Sequence, residues 1–270
     1  MGWVEALVLG VVQGLTEFLP VSSTGHLVLV PAVLHWRDPG LAFDVWVHVG
    51  TLLAVLAYFK TEVPRLLRSW LHSLRQPTLV ARNADARLAW LLILATIPGA
   101  VAGVLLHDSL EGAMSGAVAV SWQLIGTGAI LLVGQALSGG QVALSGMKAG
   151  TAFAVGIGQA VGIIPGISRS GGTIAAALVC GMRREDAARF SFLLSIPIIA
   201  GSALFELVSV VRHPQAASPN AAWLVAFVAA AVTGYLAVGL AIRTVARGRL
   251  WVFAVYCFVV GGAGLIYFAR

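Results

Sequence analysis

Apolar residues fill most of the chain in blocks of roughly 20, the length that crosses a bilayer as a helix. Six blocks predict full spans at about 42–60, 86–107, 117–138, 188–212, 220–243 and 249–268. Two stretches break this pattern. Residues 1–36 and 147–183 are each split by a polar centre carrying proline and glycine into two apolar pieces too short to span. Each reads as a re-entrant helix hairpin, because irregular backbone at membrane depth is tolerated only where protein or a water-filled cavity satisfies it. The pattern predicts an all-α integral membrane protein with six transmembrane helices, two re-entrant helix hairpins and a single membrane domain, 1–270.

Composition agrees: 59% of the residues are hydrophobic and only 10% charged, with mean hydropathy +0.92, far from a soluble domain. The N-terminus lacks a basic start and is interrupted by Glu5, Gln13 and Glu17, so it is not read as a cleavable signal. Cys180 and Cys257 stand alone in apolar segments without metal-ligand spacing, and read as packing residues rather than a disulfide or zinc site. The formal charge of +6 does not imply nucleic acid, because the basic residues sit in short loops between spans.

Those loops report topology. With two hairpins and six spans, 13 of the 17 Lys and Arg residues fall on one side: Lys60, Arg65, Arg68, Arg75, Arg82, Arg87, Lys148, Arg183, Arg184, Arg189, Arg243, Arg247 and Arg249. The other side holds Arg37, Arg212 and Arg270 with Asp108 and Glu111, and Arg169 stays in the second break. The positive-inside rule makes the first side cytoplasmic, so the first hairpin enters from outside and the second from inside. Opposed entry predicts an inverted-topology repeat, 1–146 and 147–270. At an offset of 146, Gln13 meets Gln159, and Ser22 to Gly25 meet Ser168 to Gly171; at 147, "FDVWVHVGTLLA" echoes "FSFLLSIPIIAG". Such repeats bind ligands at the midplane between halves, so the two breaks should face each other.

The second break, "PGISRSGGT" from Pro165 to Thr173, has the residues of an anion cradle opening a helix. Gly166, Gly171 and Gly172 permit close approach, Ser168, Ser170 and Thr173 add donors, and Arg169 brings a fork suited to phosphate. Gly172 stands where a Walker loop has lysine and no strand precedes, which excludes a nucleotide P-loop. No G-x-S-x-G elbow is present either. In the first break, "QGLTEFLPVSSTGH", Glu17 suits a divalent cation or a proton, and Gln13, four residues earlier, shares its helix face. Ser23 suits a nucleophile or phosphate donor, and His26 a proton carrier. Ser22, Thr24, Ser168 and Ser170 have an equally ready reading as caps or packing residues. Ionisable residues in a membrane break are functional by default, which singles out Glu17, Arg169 and His26. His48 reads either as cavity lining or as a helix-packing histidine, and Arg183, Arg184, Glu185, Asp186, His107, Asp108 and Glu111 as solvated loop ends.

These two motifs, with "ARFSFLLSIP" after the second, closely resemble the signature segments of the bacterial undecaprenyl-diphosphate phosphatases, also called bacitracin-resistance proteins, over nearly the whole chain. The resemblance implies hydrolysis of undecaprenyl diphosphate to undecaprenyl phosphate and phosphate, which supplies the carrier for peptidoglycan and other envelope glycans. It also implies a multi-pass protein of the bacterial plasma (inner) membrane, a site open to its outer face, and dependence on Mg2+ or Ca2+. Glu17 with Gln13 takes the metal or proton-handling position, Ser23 and His26 the catalytic pair, and Arg169 the diphosphate clamp. Ser22, Thr24, Gly166, Ser168, Ser170, Gly171, Gly172 and Thr173 would bind substrate. Family members carry Glu or Gln at position 13, so Gln13 removes one charge from any metal site. Attack by Ser23 with His26 moving the proton is preferred; attack by water or by His26 stays open. The partners implied are the polyprenyl diphosphate and the membrane, with a homodimer compatible and nucleic acid excluded. A transporter or lipid-phosphate flippase is the rival, since inverted repeats with broken helices suit carriers; a nucleophile beside a proton carrier favours the enzyme.

Overall fold

The structure of the protein, a computed structural model, describes residues 1–113, 116–212 and 220–269, with side chains described except at 106–113 and 205–212. His107, Asp108, Glu111, Arg212 and Arg270, assigned above to loops or the terminus, therefore lie outside the described side chains.

All the long elements are helices. The first half contains α1 (Trp3–Phe18), α2 (Ser23–Leu34), α3 (Leu41–Tyr58), α4 (Glu62–Arg75), α5 (Leu79–Arg82), α6 (Ala84–Ala113) and α7 (Ala117–Ala136). The second contains α8 (Ala149–Val161), α9 (Arg169–Val179), α10 (Arg184–Arg212), α11 (Ala221–Ala246) and α12 (Leu250–Phe268). Among the described residues, α3, α6, α7, α10, α11 and α12 are the six helices long and apolar enough to cross a membrane, within a few residues of the blocks expected from sequence. The pairs α1/α2 and α8/α9 are the two interrupted stretches, so an order of helix pair plus three long helices occurs twice.

One element differs from expectation. The interval 60–86 is not a plain loop but holds α4, whose short, Arg-rich sequence no hydropathy window detects. Its pattern is helical instead: Leu66 and Ser73 are buried, while Leu67, Leu71 and Leu74 are exposed. The buried side packs on α6, where Trp90 Nε1 donates to Ser73 Oγ at 3.0 Å and the Trp70 and Trp90 rings meet edge-on at 6.3 Å.

Proline sets the first break. Pro20 has no N–H to continue α1 and disfavours helical backbone at the residue before it; Leu19 is accordingly extended, at φ −64° and ψ 136°. The second break turns at Gly166, where φ is +84°, a conformation in which a Cβ would be strained. Close backbone approach then seats each hairpin against a span. A Cβ at Gly10 would strike the Ala226 backbone of α11, and one at Gly156, 146 residues on, would lie 2.6 Å from the Ala95 carbonyl of α6. Between the halves the fully buried rings of Phe18 and Phe192 pack edge to face at 5.8 Å.

Charges collect at one end of the long helices. Arg65 pairs with Asp85 at 2.7 Å, Arg189 with Glu62, and Arg183 with Asp186 at 2.7 Å. These residues line a cavity of about 440 Å³ at the C-terminal end of α3 and the N-terminal ends of α6 and α10. Of the Arg183 to Asp186 cluster, Arg183, Glu185 and Asp186 are thus in ion pairs, with Arg183 and Glu185 still largely exposed, and Arg184 donates to Ser138 Oγ at 3.0 Å.

Candidate active site

The two breaks meet. The Gly166 N–H donates to Thr24 Oγ1 at 3.5 Å, the Ser170 hydroxyl donates to the Leu19 carbonyl at 3.4 Å, and Arg169 reaches Glu17 across 152 residues of sequence. Each break opens its helix with a serine cap: Ser22 Oγ accepts from Gly25 N–H at 3.3 Å and Ser168 Oγ accepts from Gly171 N–H at 3.0 Å. A cap of this kind satisfies a helix N–H that has no partner within its own helix. Thr127 of α7 braces the second break, donating to the Gly166 carbonyl at 3.1 Å and accepting from Ser168 N–H at 3.0 Å.

At the centre stands the Glu17 carboxylate, its side chain only 6% exposed. Oε1 accepts from Arg169 Nη2 at 2.6 Å. Oε2 accepts from the Ser23 hydroxyl at 2.6 Å and from Gln13 Nε2 at 3.2 Å, and lies 3.5 Å from His48 Nε2. Burying a carboxylate is tolerable because paired cations and donors replace its water. Among the described residues Arg169 Nη1 is buried without a partner, so one arm of the fork grips Glu17 and the other is unspent.

This cluster floors a cavity of about 610 Å³. Glu17, Ser22, Ser23, Thr24, Ser168 and Arg169 form its polar end with His48, Asp44 and Gln159; residues such as Val45, Val104, Ile163, Ile167 and Ile199 make the remainder apolar. Its walls come from the N-terminal part of α3 and the C-terminal parts of α6 and α10, the ends opposite the charged cluster.

Several sequence expectations shift here. Ser23 and His26 do not form a pair. His26 is buried away from the cavity, with Nδ1 2.7 Å from the Ser22 carbonyl and Nε2 2.8 Å from the Tyr256 hydroxyl, its ring stacked on Tyr256 at 5.6 Å and 16°. A carbonyl only accepts, so Nδ1 carries the hydrogen and Tyr256 donates to Nε2 in the neutral ring. Ser22, so gripped, sits at φ +70°, where an L side chain is strained. Of the expected cradle, Gly166, Ser170, Gly171, Gly172 and Thr173 do not line the cavity. The Gly171 N–H is spent on the Ser168 cap, Gly172 abuts the Gly158 carbonyl of α8, and the Thr173 hydroxyl bonds Ser191 of α10 at 2.6 Å. Packing sets which face of α9 turns to the cavity, and that face carries Ser168 and Arg169.

A resident Mg2+ or Ca2+ on Gln13 and Glu17 does not fit this arrangement. Such ions need several oxygen ligands, whereas Glu17 faces N–H and O–H donors, the Arg169 guanidinium among them, and Gln13 offers it the amide nitrogen. Among the described residues no group of three or more His, Cys, Asp and Glu side chains could hold an ion. Cys257 is fully buried and Cys180 partly so, both as free thiols. Sequence reasoning missed Tyr256, which lies in an apolar span with nothing to mark it, and gave Gln159 no role beyond its match to Gln13.

The family description "Bacitracin resistance protein BacA" matches residues 6–263. The chain is similar to an undecaprenyl-diphosphatase of Alcanivorax borkumensis, 40% identical over 269 residues covering 100% of both chains. It is similar to one of Moorella thermoacetica, 43% identical over 252 residues, with 93% of this chain and 92% of the relative covered. A third, from Methanosphaera stadtmanae, is 39% identical over 265 residues, with 95% of each covered.

Proposed function

The chain belongs to the bacitracin resistance protein BacA family, and from that premise we propose that it hydrolyses undecaprenyl diphosphate to undecaprenyl phosphate and inorganic phosphate. It is an undecaprenyl-diphosphatase of a multi-pass membrane protein type, and bacitracin resistance follows from regenerating the carrier lipid. The observation that carries the reading is the continuous contact Ser23–Glu17–Arg169 at the polar end of a largely apolar cavity. A hydroxyl, a base and a cation stand where a lipid diphosphate head would lie, with apolar walls compatible with the first isoprene units.

In the mechanism we infer, Ser23 Oγ attacks the terminal phosphorus and passes its proton to Glu17 Oε2, its existing partner. The bond from phosphorus to the bridging oxygen breaks, and undecaprenyl phosphate leaves. Arg169 Nη1, the unspent arm, takes the phosphoryl oxygens while Nη2 holds Glu17. Water then attacks the phosphorus of the seryl phosphate, the bond from phosphorus to Ser23 Oγ breaks, Ser23 takes back its proton from Glu17, and the hydrogens of the water leave with inorganic phosphate. Phosphoryl transfer asks mainly for positioning and charge stabilisation, which this cluster supplies. His26 contributes by fixing Ser22, the residue before the nucleophile.

The two halves are read as an inverted repeat whose basic loops face the cytoplasm. The cavity walls lie at the opposite ends of α3, α6 and α10, so the site opens to the outer face of the plasma membrane. The test is release of inorganic phosphate from a long-chain polyprenyl diphosphate by the purified, reconstituted protein, with and without EDTA. Absence of release in both conditions would overturn the reading, and lipid-phosphate movement across the vesicle in its place would favour a carrier.

A further inference from the structure

We propose that His48 is a positioning residue for this reaction, acting through Glu17; the proposal rests on the phosphatase reading above. His48 lies on α3, with 24% of its side chain exposed to the cavity. Its Nδ1 stands 2.7 Å from the Asp44 carbonyl one turn earlier, an acceptor, so that nitrogen carries a hydrogen and the ring cannot turn without losing the bond. A carboxylate accepts as well, so in this pair Nε2 also carries a hydrogen and the ring is the imidazolium, facing Glu17 Oε2 at 3.5 Å.

The consequence lies in how Glu17 divides its oxygens. Arg169 holds Oε1 through Nη2 alone, and its Nη1 has no partner among the described residues. Arginine and carboxylate favour a two-pronged pair, with both oxygens on both nitrogens. Left to Arg169, Glu17 would rotate about its last bond and bring Oε2 onto Nη1. Ser23 would then lose its proton acceptor and the phosphoryl group its free guanidinium arm. His48 opposes that rotation from the other side of the carboxylate, from a different helix, holding Oε2 on Ser23. Gln13 Nε2 helps at 3.2 Å but is uncharged.

Substitution tests this directly. In reconstituted protein, His48→Ala is expected to lower kcat about 100-fold, the scale of a misplacement near 1 Å at a reacting group, and His48→Gln, which restores an N–H donor without the charge, to recover part of that loss. In a Glu17→Gln background the same His48→Ala change should cost less than about twofold, because the path through the carboxylate is already gone. A purely structural role would cost the same in both backgrounds, and so would direct contact with phosphate; either result overturns the proposal, as does His48→Ala within twofold of the parent. An arm independent of turnover is the infrared difference spectrum between each protein and its Glu17→Gln form, which isolates the Glu17 carboxylate bands. Their splitting should change in His48→Ala as the carboxylate goes over to the two-pronged pair, and unchanged splitting overturns the proposal even if the parent releases no phosphate. Failure of the parent to release phosphate would sink the phosphatase reading instead.

Discussion

Tyr256→Phe should weaken the site without touching anything that lines it. The substitution keeps the ring stacked on His26 at 5.6 Å and removes only the hydroxyl bonded to Nε2 at 2.8 Å. His26 is 6% exposed, and a buried polar atom left without its partner costs about 1–3 kcal/mol. The other ring nitrogen holds the Ser22 carbonyl at 2.7 Å, and Ser22 stands at φ +70°, a conformation that costs about 1–3 kcal/mol unless its surroundings enforce it. The two terms are of similar size. Loosening the imidazole therefore lets Ser22 relax and moves its neighbour Ser23 off Glu17. If about half of the hydrogen-bond cost reaches the nucleophile, about 1 kcal/mol, kcat should fall by about fivefold, each 1.36 kcal/mol being one decade.

Phosphate release by the reconstituted variant measures the loss, with thermal unfolding followed alongside. A suppressor adds a second reading. Ser22→Gly accepts positive φ without strain and costs only a few tenths of a kcal/mol as a cap. In the Ser22→Gly background Tyr256→Phe should therefore cost less than it does in the parent. Full activity in Tyr256→Phe beside an inactive His26→Ala would refute the reasoning: His26 would then work through a proton at the reacting centre and not through the backbone it grips.

Other outcomes follow from the same geometry. Arg169→Lys keeps the charge but cannot hold Glu17 and a phosphoryl oxygen with one planar group, so kcat/KM should fall substantially and Arg169→Ala further; near-normal turnover in Arg169→Ala would remove it from the site. Ser23→Ala should lose nearly all phosphate release while polyprenyl diphosphate still binds, and rapid turnover would exclude a seryl phosphate in favour of attack by water. Single cysteines at positions 75 and 247 should react with an impermeant thiol reagent only from the cytoplasmic side, and labelling of position 75 from outside would reverse the proposed orientation.

The spans were legible because a bilayer demands blocks of about 20 apolar residues, whatever else the helices do. The breaks were legible for a local reason too: Pro20 and Gly166 interrupt the backbone by their own covalent structure. Rotation of a helix about its axis is not local. Nothing within "RSGGT" says that Thr173 turns toward Ser191 and Arg169 toward Glu17; that is settled by Gly172 seating on Gly158. His26 met the same limit, since its partner Tyr256 lies 230 residues away. A histidine beside a serine suggested a pair, and the structure gives each a different companion.

The proposed repeat accounts for where the chemistry resides. Matched positions do matched structural work: Ser22 and Ser168 cap their helices, and Gly10 and Gly156 seat their hairpins. The groups proposed to react, and the histidine proposed to hold Ser22, sit where the copies differ. At the offset of 146, Glu17 faces Ile163, Ser23 faces Arg169 and His26 faces Gly172. Two copies of Glu17 meeting at the interface would bring like charges together in a buried site, and two copies of Arg169 would do the same; one of each makes an ion pair at 2.6 Å and leaves a guanidinium arm for phosphate. Divergence between the halves is thus what allows a buried interface to hold a carboxylate, a nucleophile and a cation within reach of a single phosphorus. Replacing Arg169 by the serine that faces it in the first copy, or Glu17 by the isoleucine that faces it in the second, should abolish phosphate release by the reconstituted variant.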